Sequence, residues 1–252
     1  MTVSTFPALM RGLLRADASR PLVTFYDDAS GERVELSVAT YANWVDKTAG
    51  LVQDELGLGR GDTVLVDLPT HWLGAVWLGA AWNLGLCVTD DRRLADDVEL
   101  VVCGPSRVAE YAAGRAEGRL VVAISLRPLG GRFVDPLPSG VVDYGAVVLA
   151  QPDSFAAEDP PAAEDAAWRQ GAETLSQRDL LTAAAERPLV ARAGRLLTDV
   201  NPAQRSGLAT LLSPVLREGG VIWVANPADV AWQPRYDEER ATDALRAQPT
   251  RS

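Results

Sequence analysis

Short apolar runs alternate with helix-like segments along most of the chain. The strand-like runs cover residues 63–67, 85–89, 98–103, 120–124, 195–198 and 220–224. Apolar side chains recur at helical spacing over 6–15, 40–56, 72–83, 105–116, 176–186 and 202–216. Buried strands that alternate with helices are typical of parallel sheets covered on both sides. The pattern therefore predicts an α/β fold, a mostly parallel sheet with helices on both faces.

Two further elements are predicted near the ends of the chain. Residues 22–26 and 33–36 flank the turn-forming stretch 27–31, Asp-Asp-Ala-Ser-Gly, which indicates a β-hairpin. Residues 236–246 have an amphipathic spacing and predict a final helix.

The domain organisation follows from length and from one change in composition. A chain of 252 residues suits a single α/β domain over 1–252. The acidic, Pro-containing stretch 152–171 predicts a flexible loop, which would separate an N-terminal half (1–151) from a C-terminal half (172–252).

Charge and hydropathy exclude several classes of function. The net charge is −10, from 34 acidic and 24 basic residues, so non-specific binding to nucleic acid or to an anionic membrane is not expected. No apolar run approaches the roughly 18 residues that cross a bilayer, and the amino terminus does not read as a secretory signal. The cytoplasm is the expected compartment.

The first third of the chain resembles a known superfamily. Val34-Glu35-Leu36-Ser37-Val38-Ala39-Thr40-Tyr41 is followed by a long helix and then by Leu58-Gly59-Arg60-Gly61-Asp62-Thr63-Val64. In this order the segments resemble the opening of adenylate-forming enzymes: acyl-CoA synthetases, luciferases and peptide-synthetase adenylation domains. Residues 65–88 continue the likeness. The resemblance implies part of the large N-terminal domain of those enzymes.

The resemblance resumes around residues 170–181 and brackets a replaced segment. By this likeness, residues 162–171 stand where the superfamily has a Ser/Thr/Gly-rich phosphate loop that ends in lysine. Here the segment has no Ser or Thr, contains Glu164 and Asp165, and has Gln170 in place of the lysine. The resemblance implies that ATP binding through this segment fails.

The remaining catalytic groups of the superfamily have no counterpart in the sequence. Under the same resemblance, we expect no counterpart of the family's downstream acidic motifs or of its small C-terminal domain with the catalytic lysine. Lys47, the single lysine, lies in an early helix and is expected to be a solvated surface residue. The sequence therefore predicts no catalytic residue, no cofactor and no metal site.

Other candidates for chemistry have simpler interpretations. His71, the single histidine, is expected to be a helix cap or a surface residue rather than a catalyst. Asp90 and Asp91, with Asp96 and Asp97 nearby, could hold a divalent cation, but a solvated loop is the favoured interpretation. Cys87 and Cys103 are expected to be buried and reduced. The tryptophans Trp72, Trp77 and Trp82 are expected to pack in the core rather than to line a pocket.

Three functions remain compatible with the sequence. The favoured one is a non-catalytic relative of adenylate-forming enzymes, with a binding or scaffolding role and an unknown ligand. The second is a divergent acyl- or adenylyl-handling enzyme with an altered site. The third is an unrelated small-molecule-binding α/β domain. A homodimer or another protein partner is expected, because half of an adenylate-forming domain would expose an apolar surface.

Overall fold

The computed structural model describes residues 3–113 and 118–248. Within them lie twelve strands: Pro21–Asp27 (β1), Glu32–Ser37 (β2), Thr63–Asp67 (β3), Cys87–Thr89 (β4), Leu100–Cys103 (β5), Leu120–Ala123 (β6), Val141–Asp143 (β7), Ala166–Gln170 (β8), Glu173–Ser176 (β9), Arg195–Thr198 (β10), Gly220–Ala225 (β11) and Asp243–Leu245 (β12). The α-helices are Phe6–Asp17 (α1), Val38–Gly50 (α2), Trp72–Leu84 (α3), Val108–Ala113 (α4), Tyr144–Val147 (α5), Gln177–Glu186 (α6), Leu208–Leu216 (α7) and Asp229–Glu238 (α8). None of these helices is both long and apolar enough to span a bilayer.

The strands form two sheets, whereas the sequence pattern predicts one. The smaller sheet has the order β12-β10-β11-β1-β2 and the larger has the order β7-β6-β5-β3-β4-β8-β9. Pairing is parallel except at the edge hairpins β1–β2 and β8–β9. The predicted mostly parallel α/β fold and the first hairpin are confirmed.

Alternate residues of the central strands face different apolar layers. In β3, Val64 and Val66 join the main core while Leu65 joins a separate cluster with Val108 and Tyr111 on the outer face. In the smaller sheet, Ile222 and Val224 of β11 likewise face an outer cluster that includes Trp232 and Tyr236. Because both faces are covered, these strands are apolar at nearly every position.

Helix α3 lies between the two sheets and is buried on all sides. Trp72, Trp77 and Trp82 are each about 1% exposed, which confirms that they pack in the core. Gly79 permits close contact with α2, since a Cβ there would lie 2.7 Å from the Tyr41 hydroxyl oxygen and from a Val45 methyl group. Tyr41 in turn donates a hydrogen bond to the Ala75 carbonyl at 2.8 Å.

Polar residues set where several helices begin. Ser37 Oγ accepts from the Thr40 N–H at 3.1 Å at the start of α2. Ser176 and Asp179 form a reciprocal capping box at the start of α6. Gly85, with a φ of +78°, ends α3 in the left-handed conformation that glycine adopts readily.

The predicted final helix over 236–246 is wrong. The helix instead covers Asp229–Glu238, and Asp243–Leu245 forms an edge strand parallel to β10. Hydrogen bonds to the open edge of β10 override the local helical spacing, which is a weak preference over a few residues. Part of the predicted helix 105–116 lies outside the described residues, and α4 covers Val108–Ala113.

Candidate functional site

The segment 162–171 is a turn followed by a strand. The sequence predicts a loop over 152–171, and this is wrong for 166–170, which pair antiparallel with β9 and lie beside β4. Trp168 and Ala167 are fully buried and hold the strand against the core. Backbone amides that pair within a sheet are not free to surround a phosphate group, which needs several unpaired N–H donors.

The two acids of this segment stabilise the turn and do not face a ligand site. Glu164 forms an ion pair with Arg178 at 2.7 Å. Asp165 forms one with Arg60, also at 2.7 Å, and accepts from the Ala162 N–H at 2.7 Å. Both acids precede β8, whereas ligands of parallel sheets bind at the carboxyl ends of the strands, here roughly 16 Å away along the chain. At this separation, Glu164 and Asp165 would not contact a phosphate group bound at the carboxyl ends of the strands.

A cleft does lie at the carboxyl ends of β3, β4 and β8. Its volume is about 390 Å³, and we call it the carboxyl-end cleft. Its lining includes Asp67, Asp90, Asp91, Arg92, Arg93 and Gln170. Asp67 is a cleft residue missing from the sequence-based candidates, although a polar residue that ends a buried strand is a signal for such a position.

Asp90 connects three parts of the carboxyl-end cleft. Gln170 Nε2 donates to Asp90 Oδ1 at 3.2 Å, and the Arg205 backbone N–H donates to Asp90 Oδ2 at 3.0 Å. Gln170, which stands in the lysine position by resemblance alone, is thus engaged with an acid. Both oxygens of Asp90 are used in holding β4, β8 and the segment before α7 together.

The other two acids of the cleft are paired with arginines. Arg93 donates to both oxygens of Asp91, at 2.8 and 2.7 Å, and these hydrogen bonds lower the pKa of Asp91 to about 2. Asp67 accepts from Arg92 at 2.8 Å and from the Tyr111 hydroxyl at 2.8 Å. With three acids against two arginines, the cleft has a net negative formal charge.

The proposed cation ligands are not brought together. Asp96 points away from Asp90 and Asp91 to pair with Arg119 at 2.7 Å. No group of three or more His, Cys, Asp or Glu side chains in the described parts of the chain could hold a metal ion.

The remaining candidates have structural positions. Lys47 is not a solvated surface residue: its ammonium group pairs with Asp153 at 2.9 Å, and its side chain is 17% exposed. His71 is a helix cap, as expected, but it is buried rather than on the surface, and its Nδ1 accepts from the Leu73 N–H at 3.2 Å. Cys87 and Cys103 are free and buried, as expected, and burial raises their pKa values to about 11 and 12.

Comparison with curated proteins gives one clear family assignment. The chain is 37% identical over 242 residues to a TIGR03089 family protein of Mycobacterium tuberculosis (strain ATCC 25618 / H37Rv). The alignment covers 94% of this chain and 96% of that protein. The chain belongs to the TIGR03089 family. No protein-family model matches it.

Three solved structures share the fold of this chain. An acyl-CoA synthetase from Brucella canis superposes with a TM-score of 0.75 at 17% identity, over 94% of this chain and 47% of the synthetase. Coronafacic acid ligase from Pectobacterium brasiliense gives 0.75 at 10% identity, over 97% and 50%. The N-terminal domain of FACL13 from Mycobacterium tuberculosis gives 0.72 at 13% identity, over 95% and 62%. The chain has the fold of their N-terminal domain and spans about half the length of the first two.

Proposed function

We propose that this protein is a binding protein on an adenylate-forming fold and does not itself form adenylates. The observation that carries the proposal is the paired strand β8, which lies in the segment that corresponds by resemblance to the phosphate loop. Its amides are engaged in the sheet, and Gln170 is engaged with Asp90. A polyanion entering the carboxyl-end cleft would meet more acids than arginines and would have to break existing ion pairs.

Isothermal titration with ATP and Mg²⁺ tests this proposal. We expect no binding at millimolar nucleotide, with an active acyl-CoA synthetase as the positive control. The variant Gln170→Lys is a sharper test, because it supplies the residue type that the superfamily has at this position. We expect it to gain no ATP affinity, since the β8 amides stay paired. Micromolar ATP affinity of the unmodified protein would overturn the proposal.

A divergent acyl- or adenylyl-handling enzyme is the second candidate. The open volume of about 390 Å³ at the carboxyl ends of parallel strands favours it, because this is the usual ligand position in open α/β sheets. Substrate-dependent exchange of pyrophosphate into ATP, measured over panels of carboxylic acids, would support this candidate against the first. The third candidate, an unrelated small-molecule-binding α/β domain, is the least favoured, because the fold is that of an acyl-CoA synthetase.

The expected homodimer or protein partner stays a prediction. Light scattering after size-exclusion chromatography measures the mass directly. A monomer at high concentration would contradict the homodimer and leave a different protein as the expected partner.

A further inference from the structure

A second cleft opens on the smaller sheet, away from β8. It lies at the carboxyl ends of β10, β11 and β1, which are neighbours in that sheet, and has a volume of about 370 Å³. We call it the His71 cleft; its lining includes Phe25, Asp27, Glu32, His71, Leu126 and Val224. This volume suits a small organic ligand.

His71 contributes a buried donor with no partner to this cleft. Because Nδ1 accepts from the Leu73 N–H at 3.2 Å, the proton of the neutral imidazole lies on Nε2. Nε2 is buried and has no hydrogen-bond partner among the described residues, and the residue as a whole is 4% exposed. Burial also lowers the pKa of His71 to about 4, so the ring is neutral near pH 7. Buried donors without an acceptor are uncommon, and each one needs an explanation.

Two carboxylates of the cleft lack a cationic partner. Asp27 accepts from Asn226 Nδ2 and from Ser30 Oγ, both at 2.7 Å, but forms no ion pair among the described residues. Glu32 also forms no ion pair there, and its Oε1 is buried without a hydrogen bond. Burial, and then the charge of Asp27, raises the pKa of Glu32. A positive charge beside these groups would therefore be stabilised.

Two arginines beside this region are already engaged in ion pairs. Arg246 pairs with Asp199 at 2.9 Å, and Arg235 pairs with Asp28 at 2.6 Å. No lysine or arginine is among the described residues that line the His71 cleft. The lining itself supplies no positive charge, which makes a ligand the source to test.

We propose that the His71 cleft binds a small organic cation, namely an amine on an apolar body that also carries an oxygen acceptor. The ammonium group pairs with Asp27 and Glu32, the oxygen accepts from His71 Nε2, and the apolar body packs against Phe25 and Val224. Anions are disfavoured by the unpaired acids. The site is distinct from the carboxyl-end cleft, so the inference goes beyond the proposed function and does not depend on whether ATP binds.

Tyramine is a suitable probe because it combines an ammonium group, an aromatic body and a hydroxyl. Two related compounds separate its features: 4-ethylphenol lacks the ammonium group and phenethylamine lacks the hydroxyl. Titration calorimetry at near-neutral pH should show saturable binding of tyramine, weaker binding of phenethylamine and the weakest binding of 4-ethylphenol. The absence of tyramine binding at millimolar concentration would overturn the proposal, as would equal affinity for 4-ethylphenol.

Three variants of the full chain locate the site. Glu32→Gln removes one cleft charge with little change in shape and should weaken tyramine binding about fivefold. Glu35→Gln removes an equal charge from the same strand but outside the cleft lining, and should leave binding unchanged. His71→Asn keeps a capping side chain and removes Nε2, so it should abolish the preference for tyramine over phenethylamine. Equal losses of tyramine affinity in Glu32→Gln and Glu35→Gln would indicate non-specific attraction to an acidic protein and would reject the site. This comparison stays decisive even if His71→Asn does not fold.

Discussion

Gln170 donates a hydrogen bond to Asp90, across the gap between the ends of β8 and β4. The other Asp90 oxygen accepts from the Arg205 N–H, so this one carboxylate joins the larger sheet to the segment before α7. Asp90→Ala should lower the free energy of unfolding by about 2 kcal/mol, because two donors lose their acceptor. Urea denaturation measures the change. Asp97→Ala, at an exposed acid in the same loop region, is the control and should change stability by less than about 0.5 kcal/mol.

His71 makes stability depend on pH. Its pKa in the folded protein is about 4, below the ordinary value of 6.5, so below pH 6.5 the unfolded chain binds the proton more readily than the folded one. The neutral imidazole makes its full contribution to the free energy of unfolding above pH 6.5. This contribution is lost as the pH falls from 6.5 toward 4. The slope is at most about 1.4 kcal/mol per pH unit.

The variant His71→Asn separates this effect from the titration of the acids. Asparagine retains a helix cap but has no imidazole to protonate. The wild type should therefore lose roughly 2 kcal/mol relative to the variant between pH 7 and pH 4.5, measured by urea denaturation. If the free energy of unfolding changed equally with pH in both proteins over that range, the imidazole would not be buried and neutral.

Asp46 should have the opposite dependence on pH. Burial raises the pKa of Asp46 to about 6, although a hydrogen bond from the Phe155 backbone acts in the opposite direction. The folded protein therefore binds a proton at Asp46 more tightly than the unfolded chain does. The charged carboxylate therefore costs stability at pH 7, and the cost disappears as the pH falls from 6 to 4. Asp46→Asn should raise the free energy of unfolding at pH 7 by about 1 kcal/mol, a value reduced for solvent screening. The gain should vanish at pH 4; a gain of equal size at both pH values would rule out this titration.

Glu239 is the centre of a partly buried ionic network. It pairs with Arg33 and Arg195, each at 2.9 Å, and accepts from the Tyr26 hydroxyl. Glu239→Ala should lower the free energy of unfolding by about 3 kcal/mol, because it leaves these donors without their shared acceptor. The adjacent exposed acid provides the control: Glu238→Ala should be nearly neutral in thermal unfolding. Similar losses of stability in both variants would show that the substitutions act on the helix α8 itself and not on the ionic network.

Gly79 and Gly12 offer a matched pair of helical glycines. At Gly79 a Cβ would lie 2.7 Å from Tyr41 and Val45, whereas at Gly12 nothing lies within 4 Å of the added atom. Gly79→Ala should destabilise the protein by about 2 kcal/mol through overpacking between α2 and α3. Gly12→Ala should stabilise it by about 0.5–1 kcal/mol, because alanine is the better helix former. Thermal unfolding distinguishes the two signs, and a gain at both positions would show that α2 and α3 can move apart at little cost.

Local sequence patterns predict where helices and strands lie better than they predict which strands pair. The strand that includes Thr63–Asp67 and the helix Trp72–Leu84 were predicted within one residue, because buried strands and an all-apolar helix have strong signatures. The division into two sheets was not predicted, since an apolar strand does not specify its neighbour. Residues 243–245 were predicted as helix because their pairing with β10 depends on contacts distant in sequence.

The sequence does not reveal the partners of the two acids in segment 162–171. The sequence places Glu164 and Asp165 where a phosphate loop is expected, yet it does not show that Arg178 and Arg60 neutralise them. Lys47 was assigned to the surface for the same reason, because its pairing with Asp153 spans about a hundred residues. Both clefts depend on residues from strands that are far apart in the chain, so spacing in sequence could not predict them.

The smaller sheet places β1 directly beside β11, with Val23 opposite Val221. During synthesis, β1 leaves the ribosome long before its partner exists, and it stays without that neighbour until residues 220–225 have been translated. Such distant pairing slows folding and lengthens exposure to aggregation. The hairpin partner β2 is made early and covers one edge of β1 during this interval, while the other edge stays open. A nascent-chain chaperone would therefore find its longest-lived target at residues 21–27.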